Sequence, residues 1–201
     1  MIFNPSPFRL VLGSGSPRRK QLLQEIGLHF AVRTSDADES APLHLSGTET
    51  AVWVSEAKAK ALLPDLQDNE ILITADTEVW KGEERFGKPA DEAEAMDMLI
   101  RLSGTKHQVI GGVTLTHRGN MRSFSSVTEV FFKPLSRDVI RHYVENYRPL
   151  DKAGAYGIQE WIGLIGINRI EGSYNNVVGL PTAELMEHLI AFRNEIGDGQ
   201  E

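Results

Sequence analysis

The 201-residue chain contains no cysteine. That absence excludes disulfides, thiolate metal sites and a cysteine nucleophile. Long apolar runs are also missing, and no stretch approaches the roughly 20 residues that span a bilayer. The opening MIFNPSPFRLVLG has neither the charged start nor the apolar run of a secretion signal. These features point to a cytoplasmic protein without a membrane partner. Basic residues form no long run and the net charge is −7. A protein that holds a nucleic-acid polymer carries a broad positive footprint instead, so no such partner is expected. The histidines lack the His-Glu-x-x-His spacing of a zinc site and read as structural, and Gly-x-Ser-x-Gly is absent. What remains, 41% hydrophobic and 24% charged, is ordinary globular material sufficient for one large domain or two small lobes.

The pattern of elements is mixed α/β. FRLVLG predicts a buried strand and GSGSPRRKQLL a loop entering a helix from Pro17 to about Ile26, with Ser16 as N-cap and Gly27 as the stop. LHFAVRTS resumes strand character, SDADESAPLHLSG is an acidic loop, and a helix follows from about Thr48 to Leu63. NEILITADTEVW is strongly β-prone but is expected to be interrupted at Ala75-Asp76-Thr77. Asp91 and Glu94 have capping-box form and open the next helix. KHQVIGGVTLTH and MRSFSSVTEVFFK alternate as a long hairpin around RGN, and SRDVIRHYVEN reads as a helix. A glycine-rich stretch with short strand-like pieces follows, then a closing amphipathic helix with frayed last residues.

Three positive residues crowd the first turn of the first predicted helix, where the helix dipole already favours anions. Gly13 and Gly15 do not complete a dinucleotide fingerprint, since Arg18 stands where glycine is needed, nor a P-loop, since Gln21 follows Lys20. A strand, a small-residue turn and a helix N-terminus nevertheless expose backbone N–H groups toward an anion, and arginine adds forked donors matched to phosphate. The cluster is therefore either a phosphate site or a set of solvated charges. Asp76, isolated in an apolar strand, is either a turn residue or a metal ligand or general base. Glu39, beside Asp36 and Asp38, is a second candidate carboxylate or part of a solvated loop. Lys88, framed by Gly87 and Pro89, and Lys58, on a helix, are candidate cations or plain surface lysines.

SGSPRRKQLL, ADT, GKP before an acidic helix start, RLSG, KAGAYGIQ and YNNVVGLP occur in this order. Together they closely resemble the Maf family, nucleotide pyrophosphatases also known as septum-formation inhibitors, from about Leu10 to the last helix. The resemblance implies a two-lobed α/β fold, a long mixed sheet with a central cleft, similar to the inosine triphosphate pyrophosphatases, in a single domain over residues 1–201. It implies hydrolysis of a nucleoside triphosphate to the monophosphate and pyrophosphate with a divalent cation, Mg²⁺ or Mn²⁺. Carried over residue by residue, the proton acceptor falls on Asp76, and metal ligation on Asp76 and Glu39. Substrate binding falls on Ser14, Ser16, Arg18, Arg19, Lys58, Thr77, Lys88 and Gln159, and base specificity on Arg18, Thr77 and Gln159. KAGAYGIQ resembles the branch acting on dTTP and UTP, and a glutamine amide offers groups complementary to the N3–H and a flanking carbonyl of uracil or thymine. A homodimer is the family precedent. Two departures stand out: Glu78 follows ADT where an apolar residue is usual, and Asn175 replaces an aromatic. A nucleotide-binding regulator of cell division with little catalysis, or a pyrophosphatase for other or modified nucleotides, stays open on these residues.

Overall fold

The computed structural model describes residues 4–198, so the expected fraying of the last three residues lies outside the described residues. Strand β1 (Arg9–Leu12) runs through a small-residue turn into helix α1 (Pro17–Glu25). Ser16 caps that helix through its Oγ, and Gly27 ends it at φ +79°. Strand β2 (Phe30–Val32) lies parallel to β1. Helix α2 (Gly47–Leu62) opens on a complete Ser46–Glu49 capping box. Strand β3 (Glu70–Lys81) pairs parallel with β1 and turns back through Gly82 to β4 (Glu84–Phe86).

Helix α3 (Glu92–Leu102) is capped by Asp91, but Glu94 accepts from the Ala90 amide rather than that of Asp91, so the box is only half made. The hairpin is present as β5 (Lys106–His117) and β6 (Asn120–Phe132). Its tight turn uses positive φ at both Arg118 and Gly119, the twist that suits a two-residue connection. Helix α4 (Arg137–Tyr147) follows.

The glycine-rich segment departs from expectation. It is a 3₁₀ turn (Ala153–Ala155), helix α5 (Trp161–Gly166), a single strand β7 (Ile167–Glu171) and helix α6 (Tyr174–Val178) before the closing α7 (Thr182–Asp198). Gly154, Gly172 and Gly179 sit at positive φ, while Gly163 serves close backbone approach: a Cβ on it would stand 1.8 Å from the Ile158 carbonyl oxygen. Asn175, the second departure in YNNVVGLP, is accommodated by donating from Nδ2 to Thr182 Oγ1 at 2.7 Å.

The strand order is β2-β1-β3-β5-β6-β7, with β4 beside β3. Pairing is parallel across β2-β1-β3 and antiparallel beyond, giving the expected mixed sheet. One apolar core packs α1 and α7 on the sheet through Leu22, Leu23, Leu185 and Leu189. A second gathers α3 and α4 through Leu99, Leu102, Ile140 and Tyr143. Strand β3 serves both, giving Ile71, Ile73 and Ala75 to the first and Val79 to the second. β5 does the same with Val113 and Leu115, then Val109. Among the described residues no helix is long and apolar enough to cross a membrane.

Candidate active site

The interruption expected at Ala75-Asp76-Thr77 is not there: β3 pairs with β5 without a break from Leu72 to Trp80, and Asp76 lies in mid-strand rather than near a strand end. The discontinuity is on the other edge. There β1 pairs only with Glu70–Ile73 and β4 only with Val79–Lys81, which leaves residues 74–78 without a strand partner. Loops and side chains reach that open edge from both faces, and a cavity of about 340 Å³ forms there. Aspartate is tolerated in this strand because its pairing with β5 is made by backbone groups and its side chain finds a cation.

Two glycines of β5 set the depth of the site. Gly112 lies opposite Asp76, and a Cβ on it would come within 2.2 Å of the Ala51 backbone of α2. Gly111 lies opposite Thr77, and a Cβ on it would meet Asn176 Oδ1 at 2.2 Å. Their missing side chains let α2 and α6 settle close to the sheet beside the two site residues. The helix so placed carries Lys58 to Asp76.

Lys58 is not a surface lysine. Its side chain is only 12% exposed, with Nζ 2.7 Å from Asp76 Oδ1 and 3.3 Å from Glu39 Oε1. Burial opposes ionisation of Asp76, but the charges of Lys58 and Arg19 and the hydrogen bond from Lys58 outweigh it. The carboxyl is held below the usual aspartate range. Glu78, one pleat further along the same strand, is driven the other way. Burial, opposed by hydrogen bonds from Arg85 and reinforced by the Asp76 charge, pushes it up to about 7. Arg85 grips it through Nε and Nη2, both at 2.6 Å. The charge that departs from the family pattern is thus paired across the β3–β4 hairpin.

Arg19 and Arg18 divide sharply. The buried Arg19 guanidinium donates to the Ala75 carbonyl at 2.8 Å, the Gly179 carbonyl at 2.9 Å, Thr77 Oγ1 at 3.0 Å and Ser14 Oγ at 3.2 Å. Thr77 Oγ1 in turn donates to the Gly179 carbonyl at 3.3 Å. Arg19 therefore ties the phosphate-type loop, the open edge of β3 and the α6 turn together. Arg18 takes no part in that network and pairs with Asp151 at 2.9 Å along the cavity lining. Ser14 and Ser16 line the cavity with the start of α1, and Lys88 and Gln159, both exposed, line it too. The structure thus brings every sequence-predicted site residue to one cavity: Ser14, Ser16, Arg18, Arg19, Glu39, Lys58, Asp76, Thr77, Lys88 and Gln159.

It also adds residues that sequence reasoning missed. Asp151 and Lys152 line the cavity, with Lys152 buried and bonded to Asp151 at 2.7 Å and to Glu160 at 3.1 Å. Val79, Val109 and Tyr156 give the same cavity an apolar wall. Lysine in a glycine-rich segment looks like a solvated turn residue. Its one signal was position, four residues before Tyr156 and seven before Gln159 in a segment already singled out.

Among the described residues no three His, Asp or Glu side chains are gathered as a ready metal shell. Asp76 and Glu39 nevertheless converge on one cation, the Lys58 ammonium, from two sides. Two hard oxygen donors suit a divalent ion that completes its shell with phosphate oxygens and water.

The solved Ham1 protein of Staphylococcus aureus aligns over 62% of this chain and 71% of its own, at 18% identity and a TM-score of 0.43. Sequence relatives are far nearer. A Cytophaga hutchinsonii protein named dTTP/UTP pyrophosphatase is 47% identical over 90% of this chain and 82% of its own length. One of the same name from Bacteroides fragilis is 46% identical over 94% of this chain and 98% of its own. The Maf-like protein family matches residues 9–192, a span that contains the phosphate-type loop, the open edge of β3 and every side chain of the site. The chain belongs to that family.

Proposed function

We propose that this protein hydrolyses nucleoside triphosphates, dTTP and UTP, to the monophosphate and pyrophosphate. The observation that carries the reading is the buried Asp76, held by Lys58 at 2.7 Å on an open strand edge, in the cavity that the start of α1 also lines. The names of the relatives at 46–47% identity support the substrate class.

The triphosphate lies along the loop of Ser14 and Ser16, where the helix N-terminus favours anions. Arg18, Lys58 and Lys88 neutralise its charge, while Arg19 and Thr77 hold the loop and strand in register. Lys88 makes no ion pair among the described residues, so it meets phosphate without first leaving a carboxylate. A divalent cation, Mg²⁺ or Mn²⁺, held by Asp76 and Glu39, would supply further charge neutralisation at the α-phosphate. Water attacks the α-phosphorus, its proton passes to Asp76, and the bond from α-phosphorus to the bridging oxygen breaks so that pyrophosphate leaves with both electrons. Asp76 is a weak base while Lys58 is bonded to it. Polyphosphate drawing the ammonium away raises its basicity at the moment it is needed. Most of the acceleration comes from positioning and charge neutralisation. Gln159 pairs with the base. The assembly proposed is a homodimer, which rests on the family resemblance alone.

Hydrolysis of UTP in ¹⁸O-labelled water tests the point of attack. The expected outcome is label in the monophosphate and none in pyrophosphate. Label in pyrophosphate, or release of single phosphates, contradicts this mechanism.

A further inference from the structure

The cations of the cavity are not equivalent. Lys88, Lys58 and Arg18 line the cavity together with the start of α1, where phosphate is expected. Lys152 differs in having two carboxylates on its ammonium, Asp151 at 2.7 Å and Glu160 at 3.1 Å. Asp151 is shared with Arg18 at 2.9 Å. A polyphosphate approaching this corner meets carboxylates that repel it, whereas a neutral carbonyl oxygen does not. Lysine has three donors, and this ammonium makes one hydrogen bond, to Asp151, beside its ion pair with Glu160. Donor capacity is left over in a residue that is buried and lines the cavity.

The backbone holds Lys152 there firmly. Gly154, at φ +68°, donates its N–H to the Gly87 carbonyl at 3.0 Å, and a Cβ on it would come within 3.0 Å of Val79. The turn is thereby pinned on β3 and on the segment that carries Lys88. The neighbouring cavity wall of Val79, Val109 and Tyr156 is apolar, suited to the flat face of a base rather than to phosphate.

We propose that Lys152 is a specificity-determining residue that donates to the 4-carbonyl oxygen of uracil or thymine. The inference rests on the pyrophosphatase reading above and assigns the base to this end of the cavity. Gln159 can pair with N3–H and one carbonyl, and the second carbonyl then needs a separate donor. A fixed ammonium supplies it. The same ammonium disfavours cytosine, which presents a 4-amino donor at that point, because two donors face each other and the hydrogen bond made to a 4-carbonyl is lost. Asp151 and Glu160 aim the ammonium and balance its charge.

The test compares pyrophosphate release from UTP, CTP and the triphosphate of pyrimidin-2-one riboside, which lacks the 4-oxygen and the N3–H together, by wild type, Lys152→Met and Lys152→Arg. The Lys152 contribution is read from how each variant changes the UTP preference. Wild type is expected to prefer UTP over each of the other two by about tenfold or more in kcat/KM. Lys152→Met should lose about tenfold on UTP and less than about threefold on the pyrimidin-2-one substrate, with its thermal midpoint showing whether it folds. Lys152→Arg should recover part of the UTP preference. Wild type using the pyrimidin-2-one triphosphate as well as UTP overturns the inference even if Lys152→Met fails to fold. Equal losses on all substrates in a folded variant overturn it too. Failure of wild type to release pyrophosphate from UTP or dTTP would instead remove the underlying pyrophosphatase reading.

Discussion

Asp76 and Glu78 are two residues apart on one strand, yet their environments drive their carboxyls in opposite directions. Asp76 meets Lys58 and is held ionised, while Glu78 is buried with Asp76 as a neighbour and is pushed up to about 7 despite Arg85. The folded state keeps a proton on Glu78 that the unfolded chain releases above its ordinary value of 4.5. Its contribution to stability is therefore full below about pH 4.5 and lost as pH rises through about 7. Glu78→Gln should flatten the fall in the urea midpoint between pH 5 and pH 8. An unchanged slope would mean that Glu78 is not the group responsible. At this scale the sequence was informative about identity and poor about partners. Asp76 was conspicuous because a carboxylate in an apolar run must be paired, but its partner Lys58 lies on a helix 18 residues upstream. Nothing local distinguishes it from a surface lysine. Lys152 was opaque for the same reason, since its carboxylate neighbours and the cavity wall come together only in the fold.

At the level of elements, the site depends on α2 lying close to the sheet. The capping box at Ser46 and Glu49 starts that helix, and Gly112 lets it approach. Gly112→Ala puts a methyl group 2.2 Å from the Ala51 backbone, which no rotamer change relieves. The expected cost is about 1–3 kcal/mol of overpacking. Activity should fall with it because Lys58 moves away from Asp76. Urea titration and steady-state pyrophosphate release measure the two effects, and a variant with both unchanged would show that α2 does not set the site. The helices, the hairpin and their caps were readable from periodicity and cap residues. β3 runs against its local reading because aspartate is a poor strand former and continuous pairing with β5 overrides that preference. The glycine-rich segment is hard to read because some of its glycines make turns, as Gly154 and Gly179 do, while Gly163 answers to the Ile158 backbone, and composition does not separate the two roles.

For the molecule as a whole, the strands that pass from one apolar core into the other make the cleft a boundary that neither side can abandon alone. β3 and β5 contribute to both cores, so the two should unfold together. Tryptophan fluorescence and far-UV circular dichroism should give superimposable urea transitions. Leu115→Ala in the first core, which costs about 2–5 kcal/mol, should shift both signals equally. Separate transitions would show that the cores are independent units. The mixed α/β class and the order of elements were legible in the sequence. The gap between β1 and β4 along one edge of β3, which creates the cleft, was not, because it is a property of strand pairing rather than of any residue.

The central claim is that this geometry hydrolyses a pyrimidine nucleoside triphosphate through Asp76. The most direct measurement is pyrophosphate release from dTTP, UTP, CTP, GTP and 7-methyl-GTP, with and without Mg²⁺ or Mn²⁺, by wild type and Asp76→Asn. The account predicts metal-dependent release strongest with dTTP and UTP, reduced at least about a hundredfold in the variant. Near-normal turnover by Asp76→Asn, or nucleotide binding without release by the wild type, would contradict it.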